Sequence, residues 1–427
     1  MLMFLVMAYV LLYMWIFKYM YMNEWCRGWV LGLLFIVCSC KGVSGEIVDN
    51  NQGVVNQIDS TIVYQIDTLV YSTISHGVIP GAVISIVQDS TVVFTKSYGN
   101  RSLVPEPTMM TENTIFDLAS LSKCIATTLA VMQLIEKKEL ALDDKVNQYI
   151  PEFKPWVKGD SIQDITIQDL LTHSSGLDSY IRNVKSLYRM GCDSDSLMHI
   201  IATKSHRNFR PGTKFSYSCL NFITLQNIVQ RLTGERLCDY VQKNIFDTLG
   251  LTHTCYFPND VEVPDCLEIA PTEVQPDSMP LIGRTHDPLA RLLNGGNSGN
   301  AGVFSDVSDL SVLCMAIMNG GEINGRRILK KETVELMTRI PESNAPTVGR
   351  ALGWDVSSSH AFILGDCFPL HKCICHTGYT GTSIVMDLDA HVAVILLTNR
   401  VHPKDKGSLK FLRSELSNIV SQMVYFK

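Results

Sequence analysis

Phe116-Asp117-Leu118-Ala119-Ser120-Leu121-Ser122-Lys123 opens an apolar run whose spacing, Ile125, Leu129, Met132 and Ile135, predicts a helix from Ala119 to about Lys138. Side chains three residues apart on a helix share a face, so the Ser120 hydroxyl and the Lys123 amine come within reach of each other. A serine hydroxyl is a poor nucleophile at neutral pH. A lysine whose pKa is lowered by partial burial, or by a nearby cation, can accept or relay its proton. The helix N-terminus adds free backbone N–H groups and a positive dipole end, suited to a developing oxyanion. A serine followed three residues later by a lysine arises about once by chance in a chain of this length, so the pair needs companions.

Outward from this segment the pattern changes to strands. Val78-Ile79-Pro80-Gly81 leads into Ala82 to Val87, a Gln88-Asp89-Ser90 turn and Thr91 to Thr95, which reads as a hairpin. Ser383 to Met386, a turn from Asp387 to Ala390, and Val392 to Leu397 make a second one. Leu409, Leu412, Leu416, Ile419 and Met423 recur at helical spacing and predict a closing amphipathic helix on the sheet. Strands at both ends with helix between them predict an α+β fold. The antiparallel β-sheet is formed from both chain ends, about 50–118 and 301–427, and is flanked by helices. A mainly helical lobe, about 119–300, is inserted, and the active site falls at the seam. No repeat or low-complexity tract interrupts residues 45–427, so they read as one catalytic domain.

Two downstream segments supply candidate companions. In Phe215-Ser216-Tyr217-Ser218, just after Pro211-Gly212 and before a helical run, Tyr217 sits where a phenol can point into a cleft; a phenol whose pKa is depressed by a lysine can act as a general base. Taken alone, a half-buried core tyrosine is the plainer reading. His376-Thr377-Gly378-Tyr379-Thr380-Gly381 enters the C-terminal hairpin, where glycine lets backbone approach a ligand and a strand edge offers an N–H to an oxyanion, although an ordinary turn has the same composition.

The chain has 427 residues and a net charge of -6, with no run of Lys or Arg, which removes the electrostatic case for nucleic acid and leaves a small-molecule or peptide substrate. Residues 1–44 read as a hydrophobic leader. Met1 to Phe17 is almost wholly apolar, and Arg27 precedes a second apolar stretch, Val30 to Val37, followed by Ser39, Gly42, Ser44 and Gly45, the plan of a signal peptide. Val37-Cys38-Ser39-Cys40 approximates a lipobox with Cys40 as the lipidated residue. The first segment is either a membrane helix or the product of a start assigned upstream of Met20 and Met22. Either way the chain is expected to be exported to the periplasm or cell envelope, with membrane contact through the N-terminal segment or a lipid.

Thirteen cysteines show no spacing of a disulfide framework. His371-x-Cys373-x-Cys375-His376 is tighter than a zinc knuckle, and Cys-x-Cys in a strand puts both thiols on one face with Ile374 opposite, so buried thiols are the plainer reading and no metal site is assigned.

Ser-x-x-Lys, the Tyr217 segment and His376-Thr377-Gly378, in that order, resemble the serine β-lactamase and penicillin-binding-protein superfamily. The flavour is that of the class C branch with its esterases, D-aminopeptidases and D-alanyl-D-alanine carboxypeptidases. Leu170-Leu171-Thr172-His173-Ser174-Ser175-Gly176-Leu177, Thr285-His286-Asp287 and Gly299-Asn300-Ala301-Gly302-Val303-Phe304-Ser305 are similar to further landmarks, and the resemblance spans about Ile58 to Pro403. It implies Ser120 as nucleophile, Lys123 and Tyr217 as the proton-handling pair, and the backbone N–H groups of Ser120 and Tyr379 as the oxyanion hole. His376, where many relatives have Lys, Thr377 and Gly378 would meet substrate, and no cofactor is needed. His173 is expected to pack, and the glycines from Gly295 to Gly302 to form a tight loop at the cleft.

The match departs at two places. The second motif is usually Tyr-x-Asn, whereas here Cys219 takes the third position and Asn221 follows two residues later; both are kept as candidate substrate contacts. A missing carboxamide weakens β-lactam or peptide-amide recognition. A neutral His376 likewise holds a substrate carboxylate less firmly than a lysine would. The residues thus point to an exported serine hydrolase acting on an ester or amide. A true class C-like β-lactamase is its enzymatic rival, and a non-catalytic envelope ligand-binding protein its rival of another class.

Overall fold

The computed structural model describes residues 58–344, 346–370 and 372–425, so the expected leader lies outside the described residues. The labelled elements are helix α1 (Ser60–Ser75), strands β1 (Gly81–Gln88), β2 (Thr91–Ser102) and β3 (Thr108–Met109), helices α2 (Leu129–Glu136), α3 (Cys219–Thr233) and α4 (Val307–Met318), strands β4 (Cys373–Thr377), β5 (Ser383–Asp387) and β6 (Val392–Leu397), and helix α5 (Lys410–Tyr425).

The six strands form one antiparallel sheet in the order β4-β5-β6-β1-β2-β3, which joins the two ends of the chain at the β6–β1 pair, with Ile84 opposite Leu396 and Ile86 opposite Val394. The N-terminal hairpin turns at Asp89 and Ser90, both at positive φ (48° and 61°), the twist a tight two-residue loop needs.

Alternation sorts the strands between two cores. Val83, Ile374, Ile384, Met386, Ile395 and Leu397 face the helical lobe. Ala82, Ile84, Ile86, Cys373, Cys375, Val394 and Leu396 face the other way, under α1 and α5. Cys373 and Cys375 are therefore core thiols on one face, with Ile374 opposite. All ten cysteines among the described residues are free.

Helix α5 buries Leu412 and Leu416 as its spacing predicts, whereas Ile419 and Met423 are half-buried and Val420 takes the buried position between them. Helix α1 is an addition to the predicted architecture. Its buried Ile62, Ile66 and Val70 recur every four residues, and Asp59 caps it by accepting the Thr61 N–H at 2.6 Å.

The predicted helix at Ala119 starts later than its spacing suggests. Ala119 has φ of 47°, outside the helical region, and Lys123–Thr128 is a π-helical turn before α2 begins. The cause lies upstream. Phe116–Asp117 pairs with Val303–Ser305, which in turn pairs with Cys255–Tyr256, so the chain must turn sharply between this small sheet and the helix.

Candidate active site

Ser120 occupies that sharp turn. The Asp117 carboxylate accepts the Ala119 N–H at 2.8 Å, which holds the unfavourable left-handed conformation, and accepts the His286 N–H at 2.6 Å, which joins the turn to the 286–287 loop. Ser122 Oγ donates to Ala119 O at 2.7 Å and accepts the Val303 N–H at 3.0 Å. Ser120 is thus held one residue ahead of the helix, half-buried and reachable. A π-helical turn of this kind is frequent at functional sites.

Lys123 is fully buried, and its ammonium has three neighbours: Ser120 Oγ at 3.0 Å, the Asn300 carbonyl at 2.8 Å and Cys219 Sγ at 3.7 Å. Three N–H bonds meet three acceptors, which suits the cation. Burial by itself lowers the Lys123 pKa, but the facing Cys219 thiol, the Tyr217 phenol and the Asp287 carboxylate together raise it above its ordinary value. The sequence expectation of a lowered lysine pKa is therefore corrected: the acidic groups that fold around Lys123 outweigh its burial.

Tyr217 stacks on His360, with ring centres 5.5 Å apart, and meets His173 at a tilt at 4.4 Å, with Lys123 Nζ 5.0 Å from its centre. Burial raises its pKa, and interaction with Lys123 and Ser120 pulls it back only in part, so the resting phenol is neutral. The segment is pinned by His173, whose carbonyl accepts the Ser216 N–H at 2.9 Å and whose Nδ1 accepts the Ser218 N–H at 3.1 Å. His173 is buried, and burial followed by the Arg350 and Lys123 charges drives its pKa well below the ordinary value. It is the neutral packing residue its motif suggests.

Cys219 lies at the start of α3 beside Lys123, whereas Asn221 does not reach the cleft. Asn221 is fully buried; its Oδ1 accepts from Ser175 at 2.6 Å and its Nδ2 lies 3.4 Å from His173 Nδ1. The expectation of a substrate contact at Asn221 is corrected, because two residues along a helix turn the side chain away from Cys219 and Lys123.

His376 and Thr377 end β4, an edge strand of the sheet. His376 is only 4% exposed, its Nδ1 is 3.0 Å from Thr377 O, and its Nε2 has no partner among the described residues. Burial and the Arg350 and Lys123 charges hold its pKa well below the ordinary range, so the imidazole is neutral where a fixed cation would otherwise stand. Gly378 is required by close packing. A Cβ there would lie 2.1 Å from Thr382 Oγ1 and 2.4 Å from Leu118 O, so what approaches it is the chain leading to Ser120 rather than a ligand. Thr380 Oγ1 donates to Asp117 O at 2.7 Å and Thr382 Oγ1 to Leu118 O at 3.0 Å, which locks the 378–382 turn against the nucleophile segment. The backbone N–H groups of Ser120 and Tyr379 have no acceptor among the described residues.

Three participants stand outside the candidate residues, two of them, Asn300 and Asp287, within landmark segments and the third, His360, with no local sequence signal. Asn300 contributes through its carbonyl, from a loop packed so closely that a Cβ on Gly299 would lie 2.1 Å from Phe222 O. His360 stacks on Tyr217 from a distant loop. Asp287, quoted above only as part of a landmark, accepts the Ala290 N–H at 2.8 Å and raises the Lys123 pKa. Among the described residues no cluster of His, Cys, Asp or Glu could hold a metal ion.

The fold and this constellation define a serine hydrolase with its reacting groups at the seam of an antiparallel sheet and a helical lobe. The chain belongs to the Beta-lactamase family, which it matches over residues 66–416. It is 29% identical over 406 residues to a candidate D-alanyl-D-alanine carboxypeptidase of Escherichia coli (strain K12), covering 87% of this chain and 90% of that one. Among solved structures it is similar to EstCE1, a hydrolase with promiscuous acyltransferase activity, with a TM-score of 0.65 at 22% identity over 84% of this chain and 98% of that one. It is equally similar to a class C β-lactamase mutant, with a TM-score of 0.65 at 20% identity over 86% of this chain and 99% of that one.

Proposed function

We propose that the chain is an exported hydrolase that forms an acyl-enzyme on Ser120 and hydrolyses an ester or an amide, cell-wall-derived peptides among them. The observation that carries the reading is Lys123 Nζ at 3.0 Å from Ser120 Oγ, with its remaining donors held by Asn300 O and Cys219.

In this reading Ser120 Oγ bonds to the acyl carbon while its proton passes to the Tyr217–Lys123 pair in the form that has already given up one proton to solvent. The carbonyl electron pair moves onto oxygen, where the Ser120 and Tyr379 N–H groups receive it. Collapse expels the alcohol or amine, which takes the proton from the pair. Water then repeats the sequence and releases the acid and Ser120.

Two features favour an ester or a peptide without a strict carboxylate anchor over a β-lactam. His376 is buried and neutral, so it presents no fixed cation, and Cys219 presents a thiol in place of a carboxamide. The name of the Escherichia coli relative supports a peptide substrate, and that of EstCE1 supports an ester or acyl-transfer substrate. Export and envelope attachment rest on the apolar pattern of residues 1–44 and on Cys40.

The decisive experiment treats the protein from about Gly45 with a fluorophosphonate and looks for added mass on Ser120. Ser120→Ala should abolish labelling. A wild type that stays unlabelled while a control hydrolase reacts removes the reading and favours the ligand-binding rival. Rapid turnover of a chromogenic cephalosporin would instead identify a β-lactamase. The mass of the mature protein from its native host tests cleavage of the leader and lipid on Cys40.

A further inference from the structure

The 378–382 turn is held from behind by a guanidinium. Arg413, in the first turn of α5, donates through Nη2 to Gly378 O at 2.9 Å and to Thr382 O at 2.8 Å. Its Nε is shut off from solvent and has no acceptor among the described residues. No carboxylate among the described residues pairs with Arg413, and Asp405 pairs instead with Arg400 at 2.7 Å and accepts from the Tyr379 hydroxyl, so Arg413 has no ion-pair partner. Burial and the neighbouring Arg400 charge bring its pKa down to about 9, the mark of a cation held at a cost by the fold.

Gly378 O and the Tyr379 N–H belong to one planar trans peptide and point to opposite edges of it. A donor that fixes Gly378 O therefore fixes the direction of the Tyr379 N–H, away from Arg413. The next carbonyl, Tyr379 O, is fixed in turn by Arg400 Nη2 at 2.9 Å. Thr380 and Thr382 tie the same turn to Asp117 O and Leu118 O, directly before Ser120.

The geometry points to Arg413 as the positioning residue of the oxyanion hole: it sets the Gly378–Tyr379 peptide so that the Tyr379 N–H meets the oxyanion formed at Ser120, and its charge polarises that peptide toward the oxygen. The inference rests on the acyl-serine reading above. A purely structural Arg413 would tie α5 to the turn and affect only melting; a positioning Arg413 affects the reaction in a folded protein.

The test compares wild type with Arg413→Lys, Arg413→Gln and Arg413→Met. Each is measured for melting temperature, for the rate of fluorophosphonate labelling of Ser120, for affinity toward a boronic acid that mimics the tetrahedral adduct, and for kcat and KM on an activated ester. The loss of one oxyanion donor costs about 100-fold to 1000-fold, so a misdirected one should cost at least about tenfold. The expected result is that Arg413→Met labels at least about tenfold more slowly and binds the boronic acid correspondingly less well, with KM unchanged. Arg413→Lys recovers most of the rate, and Arg413→Gln, a donor without charge, falls between. If Arg413→Met does not fold, the order of the Lys and Gln variants carries the same result. Folded variants that label at the wild-type rate, or that lose activity only through KM, overturn the role of Arg413. A wild type that does not label overturns the acyl-serine reading itself.

Discussion

The ammonium of Lys123 lies 3.7 Å from the thiol of Cys219, so the lysine beside the candidate nucleophile faces a soft, weakly hydrogen-bonding group that offers substrate no amide. This contact sets the first prediction. Cys219→Asn should raise turnover of D-alanyl-D-alanine peptides or a cephalosporin by about tenfold, the worth of one net hydrogen bond. Cys219→Ala should leave ester turnover within a few-fold. Steady-state kinetics on the three substrate types check it, and an Asn variant indistinguishable from wild type on all of them would make Cys219 a packing residue.

The proton-handling pair predicts the pH profile. Burial is outweighed at Lys123 by its acidic neighbours, and burial prevails at Tyr217, so both pKa values are raised and both groups hold their protons at neutral pH. The form of the pair that accepts the Ser120 proton has one proton fewer, and its share grows as pH rises. The rate of Ser120 labelling should therefore climb from pH 7 into the alkaline range, by about tenfold per unit where the limb is steepest. Tyr217→Phe should lower the rate by about 100-fold or more. A flat profile between pH 6 and 9 contradicts this assignment of protons.

Asp117 should prove essential to the nucleophile turn although it lies behind it. Its two oxygens accept the Ala119 and His286 N–H groups, and an asparagine can offer only one acceptor oxygen. Asp117→Asn should cost about 1–3 kcal/mol in denaturant unfolding, the penalty of one buried unsatisfied group. It should also slow labelling of Ser120, since either Ala119 at φ 47° or the tie to His286 loses its acceptor. Unchanged stability together with an unchanged labelling rate would show that the turn holds without the carboxylate.

Acid should destabilise the fold through His173 and His376. Both are held neutral with pKa values well below 6.5, by burial first and then by neighbouring cations. Between the folded and unfolded values the unfolded chain binds the extra protons, so stability is fully present above about pH 6.5 and is lost as pH falls below it. Melting curves from pH 7.5 down to 5 should show a progressive decline, and a constant melting temperature across that range would contradict it.

Much of the fold is legible in the chain because the relevant signals are local. The near-continuous apolar runs Ala82 to Val87 and Val392 to Leu397 mark strands that are buried on both faces, and apolar residues every three or four positions from Leu409 to Met423 mark the buried face of α5. The Ser120–Lys123 pair is legible for the same reason, being a contact across three residues. The helix start is not, because the left-handed Ala119 is imposed by Asp117 and by the pairing of Phe116–Asp117 with Val303–Ser305.

By itself the sequence determined which groups this protein has for chemistry: a hydroxyl and an amine three residues apart, a phenol, a thiol in place of a carboxamide and a histidine in place of a lysine. Only the tertiary structure decided their states. Lys123 meets Cys219 across 96 residues and Asn300 across 177, and the acidic groups that surround it keep it charged despite its burial. Asn221 turns to His173 rather than to the cleft, and Arg413 reaches Gly378 across 35 residues to hold the peptide behind the Tyr379 N–H. Protonation and direction depend on what is packed within a few ångströms, and that neighbourhood exists only once distant segments have met.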